Sequence, residues 1–319
     1  MNGSPATALR GVLAEYLGMA GVLAGLVVFF GLTTSNFFSW TSFRTIANQV
    51  PDTLIVSVGM TFVLIAAGID LSVGSVLALS GGVLGASLVH WELPLSLAIL
   101  LCLLAGLVCG LINGWLSVRC QIPSFIVSLG MLEIARGAAY LVTHSQTQYL
   151  GAQVERIGEL NVLGISLPFL LAVLLVVLGQ VLLSHTVFGR YVLAAGANPE
   201  ALRLSGVDPG PVRITVFAGC GLLTALAAIL HCSRLSAADP NAGSGLELQA
   251  IASAVIGGTS LMGGRGSVVS SFLGVLIISV LGAGLAQMGI QEPMKRVVTG
   301  CVIVAAVIAD HYRHREARG

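Results

Sequence analysis

Long apolar runs alternate with short polar breaks along almost the whole 319-residue chain. A helix that crosses a bilayer needs about 20 predominantly apolar residues, and stretches close to that size recur here. They fall at Leu17–Leu32, Ala47–Ala67, Gly68–Val89, Leu95–Leu116, Ser124–Val142, Leu167–Leu183 and Ile214–Leu230. A shorter eighth run follows the polar stretch Arg234–Gln249, a ninth ends near Leu285, and a tenth covers Val297–Ala309. The pattern predicts an all-α, polytopic integral membrane protein with about ten transmembrane helices. Some of these are broken or re-entrant, because Gly- and Ser-rich stretches around Asp70 and Gly263 interrupt the apolar pattern. Free backbone groups at such breaks are tolerated only when buried in protein or lining a watery path. One transmembrane domain is expected over residues 1–319, with Thr143–Ser166 as a polar connector. The first apolar run is long and no small-residue cleavage site follows it, so it is expected to be retained as a helix.

The second half carries one substantial polar, Arg-bearing insert, Gly189–Arg213. Within it Asn198 is a good N-cap, Pro199 suits the first helical position, Glu200 sits at the positive end of the dipole, and Gly206 is a natural stop. A two-turn helix, Pro199–Ser205, is expected. So short a helix is marginal alone and needs support from neighbouring helices or a partner. The insert is either a docking loop or an ordinary connector.

Composition agrees with the pattern: 56% of residues are hydrophobic and 9% charged. The six cysteines lie in or beside apolar runs, none in a CxxC pair, and are expected to pack in the core. His311 and His314 form only a weak pair, and no metal site is expected. Lys295, the single lysine, lacks the Gly-rich run before it and the Ser or Thr after it that a phosphate-gripping loop requires. ATP hydrolysis therefore belongs to another chain. On the ten-span plan, an inward N-terminus places Arg10, Arg119, Arg190, Arg203, Arg213, Arg265, Arg313, Arg315 and Arg318 inside. Arg44, Arg156, Arg234, Lys295 and Arg296 then lie outside, a bias that favours both termini in the cytoplasm.

Individual polar residues in apolar surroundings are candidates for function. Asp70 either sits as an intramembrane carboxylate that requires a partner or water, or caps a helix beginning at Leu71 by accepting from amides near Val73. The cap is favoured. Ser72 and Ser75 either back-bond or face a pore. Asn113 meets a neighbouring helix or a substrate hydroxyl, and Phe125, after Pro123, is a candidate path-lining aromatic. Glu133 and Arg136, three apart, are expected to form an ion pair on one helix face. Asp239, Asn241, Ser244 and Glu247 lie in a polar break where a soluble partner can land.

Four segments carry a family likeness: Gly59–Gly82, Gly110–Met131, Gly189–Val207 and Arg234–Val268. In order and length they resemble the membrane permease subunits of bacterial ATP-binding-cassette sugar importers, the ribose, xylose, arabinose and galactose group. The segment Thr143–Ser166 and both tails match poorly. The resemblance implies a second permease chain, identical or paralogous, a cytoplasmic ATPase that binds ATP and Mg, and a periplasmic sugar-binding protein. It implies residence in the lipid of the bacterial inner membrane, with no nucleic-acid partner, no cofactor in this chain and no catalytic residue. Gly189–Arg213 matches the family's ATPase-contacting loop, which assigns docking to Ala197, Asn198, Pro199, Glu200, Ala201 and Arg203 as a group. The rival expectation is a secondary transporter driven by an ion gradient, for which Asp70 is the one strong carboxylate.

Overall fold

The computed structural model describes the backbone of residues 5–162 and 164–316, and side chains from 16 to 305 except 162, 163 and 303. Arg10, Arg313, Arg315, Arg318 and the His311–His314 pair, used above, lie outside the described side chains. The elements run α1 (Pro5–Thr33), α2 (Trp40–Ile65), α3 (Val73–Val89), α4 (Leu95–Arg119), α5 (Ser124–Val142), β1 (Gln148–Tyr149) and α6 (Ala152–Glu159). There follow β2 (Asn161–Val162), β3 (Ile165–Ser166), α7 (Leu167–His185), α8 (Val187–Ala197), α9 (Pro199–Leu204) and α10 (Pro209–Leu235). The chain closes with β4 (Ala237–Ala238), α11 (Leu246–Ile256), α12 (Val268–Gln287) and α13 (Glu292–Glu316).

Seven helices are long and apolar enough to cross a membrane among the described residues: α1, α2, α4, α5, α7, α10 and α12. The fold is that of an all-α, multi-pass membrane protein, to which the described residues add four two-residue strands in two small sheets. α3 has 17 residues and α11 only 11, the shortening expected where Gly- and Ser-rich stretches break the helical run. The connector Thr143–Ser166 is more ordered than its polarity suggests. It holds α6, whose Val154 is fully buried, and a hairpin pairing Asn161 with Ser166. β1 pairs antiparallel with β4, Gln148 opposite Ala238, and so pins this connector to the end of α10.

α2 is the axis of the bundle. Every residue from Leu54 to Ile65 is buried, whereas α4, α5 and α7 turn Leu104, Ile134 and Leu174 outward. Outward apolar residues on these helices suit a lipid surface rather than water. α4 and α10 meet along a seam of small residues. A side chain at Gly106 or Gly110 would overlap the backbone carbonyl of Gly221 or Phe217, and one at Gly114 would crowd Ile214. Small residues four apart allow such backbone approach, which is how membrane helices associate when apolar burial gives no advantage over lipid. A polar tie also joins α2 to α10, since Asp52 Oδ2 lies 2.8 Å from His231 Nδ1 and 2.8 Å from Arg234 Nη2.

Cys102, Cys109, Cys220 and Cys232 are buried as expected, but Cys120 and Cys301 are exposed, and all six are free thiols. Trp40 and Phe38 are exposed at the head of α2, with Trp40 stacked on Phe43, a placement that suits a membrane interface.

Candidate functional site

Three helices with shared caps build the polar insert. Gly189–Ala197, placed by the sequence within one loop, is the body of α8, whose first turn is capped by Thr186 Oγ1 accepting from Gly189 N at 3.1 Å. Asn198 ends α8 and starts α9, its Oδ1 accepting from Ala201 N at 3.0 Å, with Pro199 at the first helical position. α9 closes on Gly206 at φ +90°, Gly206 N donating to Arg203 O at 3.0 Å and Val207 N to Leu202 O at 3.2 Å. These two bonds form a Schellman ending, a conformation glycine adopts without strain. Asp208 Oδ1 then accepts from Gly210 N at 2.9 Å and caps α10. Almost no slack remains between the three helices.

The outer face of α9 carries Glu200 and Arg203, 3.8 Å apart and both largely exposed. Leu202 is buried beneath them. Leu204, not among the residues singled out from the sequence, is 82% exposed beside this pair. Its signal was an apolar residue set between Arg203 and Ser205 at the end of a six-residue helix. An isolated exposed leucine flanked by charges resembles the anchor-and-rim pattern of an interface.

The inner side of the insert rests on the break in the α2–α3 connection. Gly264 N donates to Ile65 O at 2.8 Å, at the C-terminal end of α2. Gly196 of α8 packs so closely on this bond that a side chain there would overlap both Ile65 O and the Gly264 amide. Arg213 Nη2 reaches back to Ala195 O at 3.4 Å and holds α8 against α10. Insert, helix break and Gly-rich turn therefore meet through backbone atoms.

Beyond Ile65 the chain runs unwound to Ser72, and two of its backbone amides are claimed by another helix. Ile69 N donates to Ser124 Oγ at 2.9 Å and Leu71 N to Ser128 Oγ at 3.0 Å, both hydroxyls belonging to α5. Asp70, 2% exposed, accepts through Oδ1 from Ser72 N at 2.9 Å and Ser72 Oγ at 2.6 Å. Asn113 Nδ2 of α4 donates to Ser72 Oγ at 2.9 Å and lies 3.4 Å from Asp70 Oδ1. The helix starts at Val73, two residues later than expected, and Asp70 folds the turn before it instead of capping the amide of Val73. The reason is hydrogen bonding: the unwound turn presents Ile69 N and Leu71 N to the α5 hydroxyls. Ser75 is buried in the first turn of α3, and Phe125 is 45% exposed on α5.

Arg136 does not pair with Glu133, correcting the expectation from their spacing. Its Nη1 donates to Pro240 O at 2.6 Å and Ala242 O at 2.9 Å, while Glu133 is exposed. Two carbonyls converging on one guanidinium nitrogen in a sheltered place outcompete a solvated i,i+3 partner. This contact shapes the Asp239–Glu247 loop, where Asp239 Oδ1 accepts from Asn241 N at 2.8 Å and Ser244 Oγ donates to Asn241 O at 2.8 Å. Tyr140 Oη donates to Asn241 Oδ1 at 2.6 Å. Glu247 turns inward, half-buried, its carboxylate occupying the space beside Gly74.

Residues 42–307 match the family described as branched-chain amino acid transport system / permease component. The ribose import permease protein RbsC of Haemophilus influenzae is 39% identical over 292 residues, covering 90% of each chain. That of Escherichia coli K12 is 36% identical over 291 residues, again 90% of each. The xylose transport system permease protein XylH of Escherichia coli K12 is 32% identical over 374 residues, 97% of this chain and 95% of its own. No solved structure matches the chain. With five-sixths of its length inside one family model and relatives aligned nearly end to end, the chain belongs to this family of transport-system permease components.

Proposed function

We propose that this chain is the pore-forming permease subunit of an ATP-driven importer that carries a monosaccharide across the bacterial inner membrane. The observation that carries the proposal is the rigid, twice-capped α9 on an insert seated by backbone contact against the helix break. A device of this kind transmits force, because a frayed helix absorbs displacement and a capped one passes it on. The named relatives supply the substrate class: ribose and xylose permeases align over nearly the whole chain, although the family's description speaks of branched-chain amino acids.

In this scheme the chain crosses the membrane ten times, α3, α11 and α13 joining the seven long helices, with both termini cytoplasmic. A cytoplasmic ATPase binds Ala197, Asn198, Pro199, Glu200, Ala201, Arg203 and Leu204. A periplasmic sugar-binding protein docks over Asp239, Asn241 and Ser244. A second permease chain completes the pore. Asp70, Ser72, Ser75 and Asn113 serve the path from behind, by fixing the α2–α3 break that must move when it opens, and Phe125 faces its surroundings from the head of α5. ATP and Mg stay with the ATPase, and the substrate crosses unchanged.

The test is co-purification of the ATPase with detergent-solubilised wild type and with a Glu200→Arg, Arg203→Glu double variant. The i,i+3 pair survives the swap with its order reversed, so α9 keeps its internal ion pair while the partner meets inverted charge. The variant is expected to retain less ATPase by about 10-fold or more, with an unchanged elution profile. Absence of any ATPase from the wild type, together with solute movement by the purified chain alone, would refute the importer assignment.

A further inference from the structure

A groove of about 1070 Å³ runs between α2, α11, α12 and α13, and it differs from the rest of the intramembrane surface in chemistry. Thr41, Thr45, Gln49 and Thr53 of α2 all line it. Their spacing of four residues makes one continuous polar stripe along α2, leading up to Leu54–Ile65, where every residue is buried. Gln249 faces the same space from α11. Gln49 and Gln249 are exposed, and neither side-chain amide has a hydrogen-bond partner among the described residues. Other glutamines of the bundle are occupied: Gln287 Nε2 donates to Ser42 Oγ at 2.9 Å, and Gln180 Oε1 accepts from Val268 N at 2.9 Å. A free amide at membrane depth is stable only where water or a ligand meets it.

We infer that this groove is the sugar-bearing wall of the translocation path, with Gln49 and Gln249 as the amides that replace water at the sugar's hydroxyls. The inference rests on the importer proposed above and specifies where its substrate passes. None of Asp70, Ser72, Ser75, Asn113 or Phe125 lines the groove. An amide donates through nitrogen and accepts through oxygen, and threonine does both through one atom, which matches a polyol whose every hydroxyl does the same. Opposite the stripe, α12 presents Ser279, Gly282, Ala283 and Ala286, leaving room for a ring to approach the helix. Charge is confined to one end, where Glu292 lies between two cations, its Oε2 2.6 Å from Lys295 Nζ and its Oε1 4.0 Å from Arg296 Nε. A zwitterionic amino acid is met by charges or by the dipoles of helix ends, and the threonine and glutamine stripe offers neither. A neutral monosaccharide needs only hydroxyls and amides.

The experiment has two arms. In the first, Thr45→Cys, Gln49→Cys and Gln249→Cys are made in a parent with Cys120 and Cys301 replaced by serine. Freeze–thawed membranes, which admit reagent to both faces, are treated with a charged, membrane-impermeant thiosulfonate. The groove cysteines are expected to react, whereas Leu104→Cys and Leu174→Cys on the outward faces of α4 and α7 are not. Groove thiols as inert as Leu174→Cys would mean that lipid or a second copy of the chain fills the space, which overturns the inference while leaving ATPase co-purification untouched. In the second arm the whole importer carries Gln49→Leu or Gln249→Leu, and uptake of D-ribose, D-xylose and D-fructose is measured. For the sugar that the wild type carries, uptake is expected to fall about 10-fold per lost amide, with ATPase co-purification unchanged. Full uptake by the Gln49→Leu, Gln249→Leu double variant would overturn the inference.

Discussion

Gly196→Ala is expected to lower the apparent melting midpoint of the detergent-solubilised protein by roughly 10 °C, a large effect for one methyl group. The added carbon meets the carbonyl of Ile65 and the amide of Gly264, and both are backbone atoms that have no alternative rotamer. Relief requires α8 to move off the end of α2, which lengthens the 2.8 Å hydrogen bond between Gly264 N and Ile65 O. Overpacking of a tight contact costs about 1–3 kcal/mol, and loss of a buried backbone bond adds roughly 1 kcal/mol or more. The comparator is Gly137→Ala on α5, where the new carbon meets nothing within 4 Å. That change is expected to be neutral or to stabilise by up to about 1 kcal/mol, since alanine is the better helix former. Equal midpoints for the two variants would show that the insert does not bear on α2 in the membrane. If α8 is the link from the ATPase to the bundle, Gly196→Ala also slows transport more than it weakens ATPase binding, because α9 itself is unaltered. A ratio of uptake to bound ATPase measures that difference.

Asp70→Ala is expected to be the next most damaging change. It strips the acceptor from Ser72 N, from Ser72 Oγ and from Asn113 Nδ2, all in a place sealed from solvent. Leaving buried donors unmatched costs about 1–3 kcal/mol each, though the hydroxyl of Ser72 can turn and recover part of it. A net loss of roughly 2–4 kcal/mol is the expected outcome, read as a lower midpoint and poorer recovery from detergent. Asp70→Asn keeps one oxygen for Ser72 and should lose less than half as much. Asn113→Leu should combine with Asp70→Ala less than additively, because both sever one network. A secondary transporter that used Asp70 as its ion site behaves differently: Asp70→Asn would then abolish transport with stability unchanged. That result would return Asp70 to the translocation path and remove it from the joint.

The apolar runs, the broken character of the bundle and the two-turn helix of the insert were all legible along the chain. Each depends on interactions within a few residues. Asn198, Pro199 and Gly206 specify α9 because a cap, a first-turn proline and a left-handed stop act over one turn of helix. The same local logic gave a wrong partner to Arg136, since i,i+3 spacing is silent about carbonyls 104 and 106 residues away. It also set the start of α3 two residues early, because Ser124 and Ser128 of α5, not the Asp70 segment itself, decide where the backbone stays unwound. α6 was read as connector because its surroundings are polar, and only its packing buries Val154.

By itself the sequence determined the class of protein, most of the helices and the shape of α9, since hydrophobic period and capping are local properties. The tertiary structure alone decided that Gly196, Ile65 and Gly264 meet, and that Asp70, Ser72 and Asn113 form one closed network. It alone decided that the α2 stripe faces an open groove while the helix beyond it, Leu54–Ile65, is packed on every side. The α2 glutamine and threonines are spaced like any surface stripe in the sequence. Whether such a stripe meets water, lipid or another helix depends on elements far along the chain, because α11, α12 and α13 complete the groove's walls.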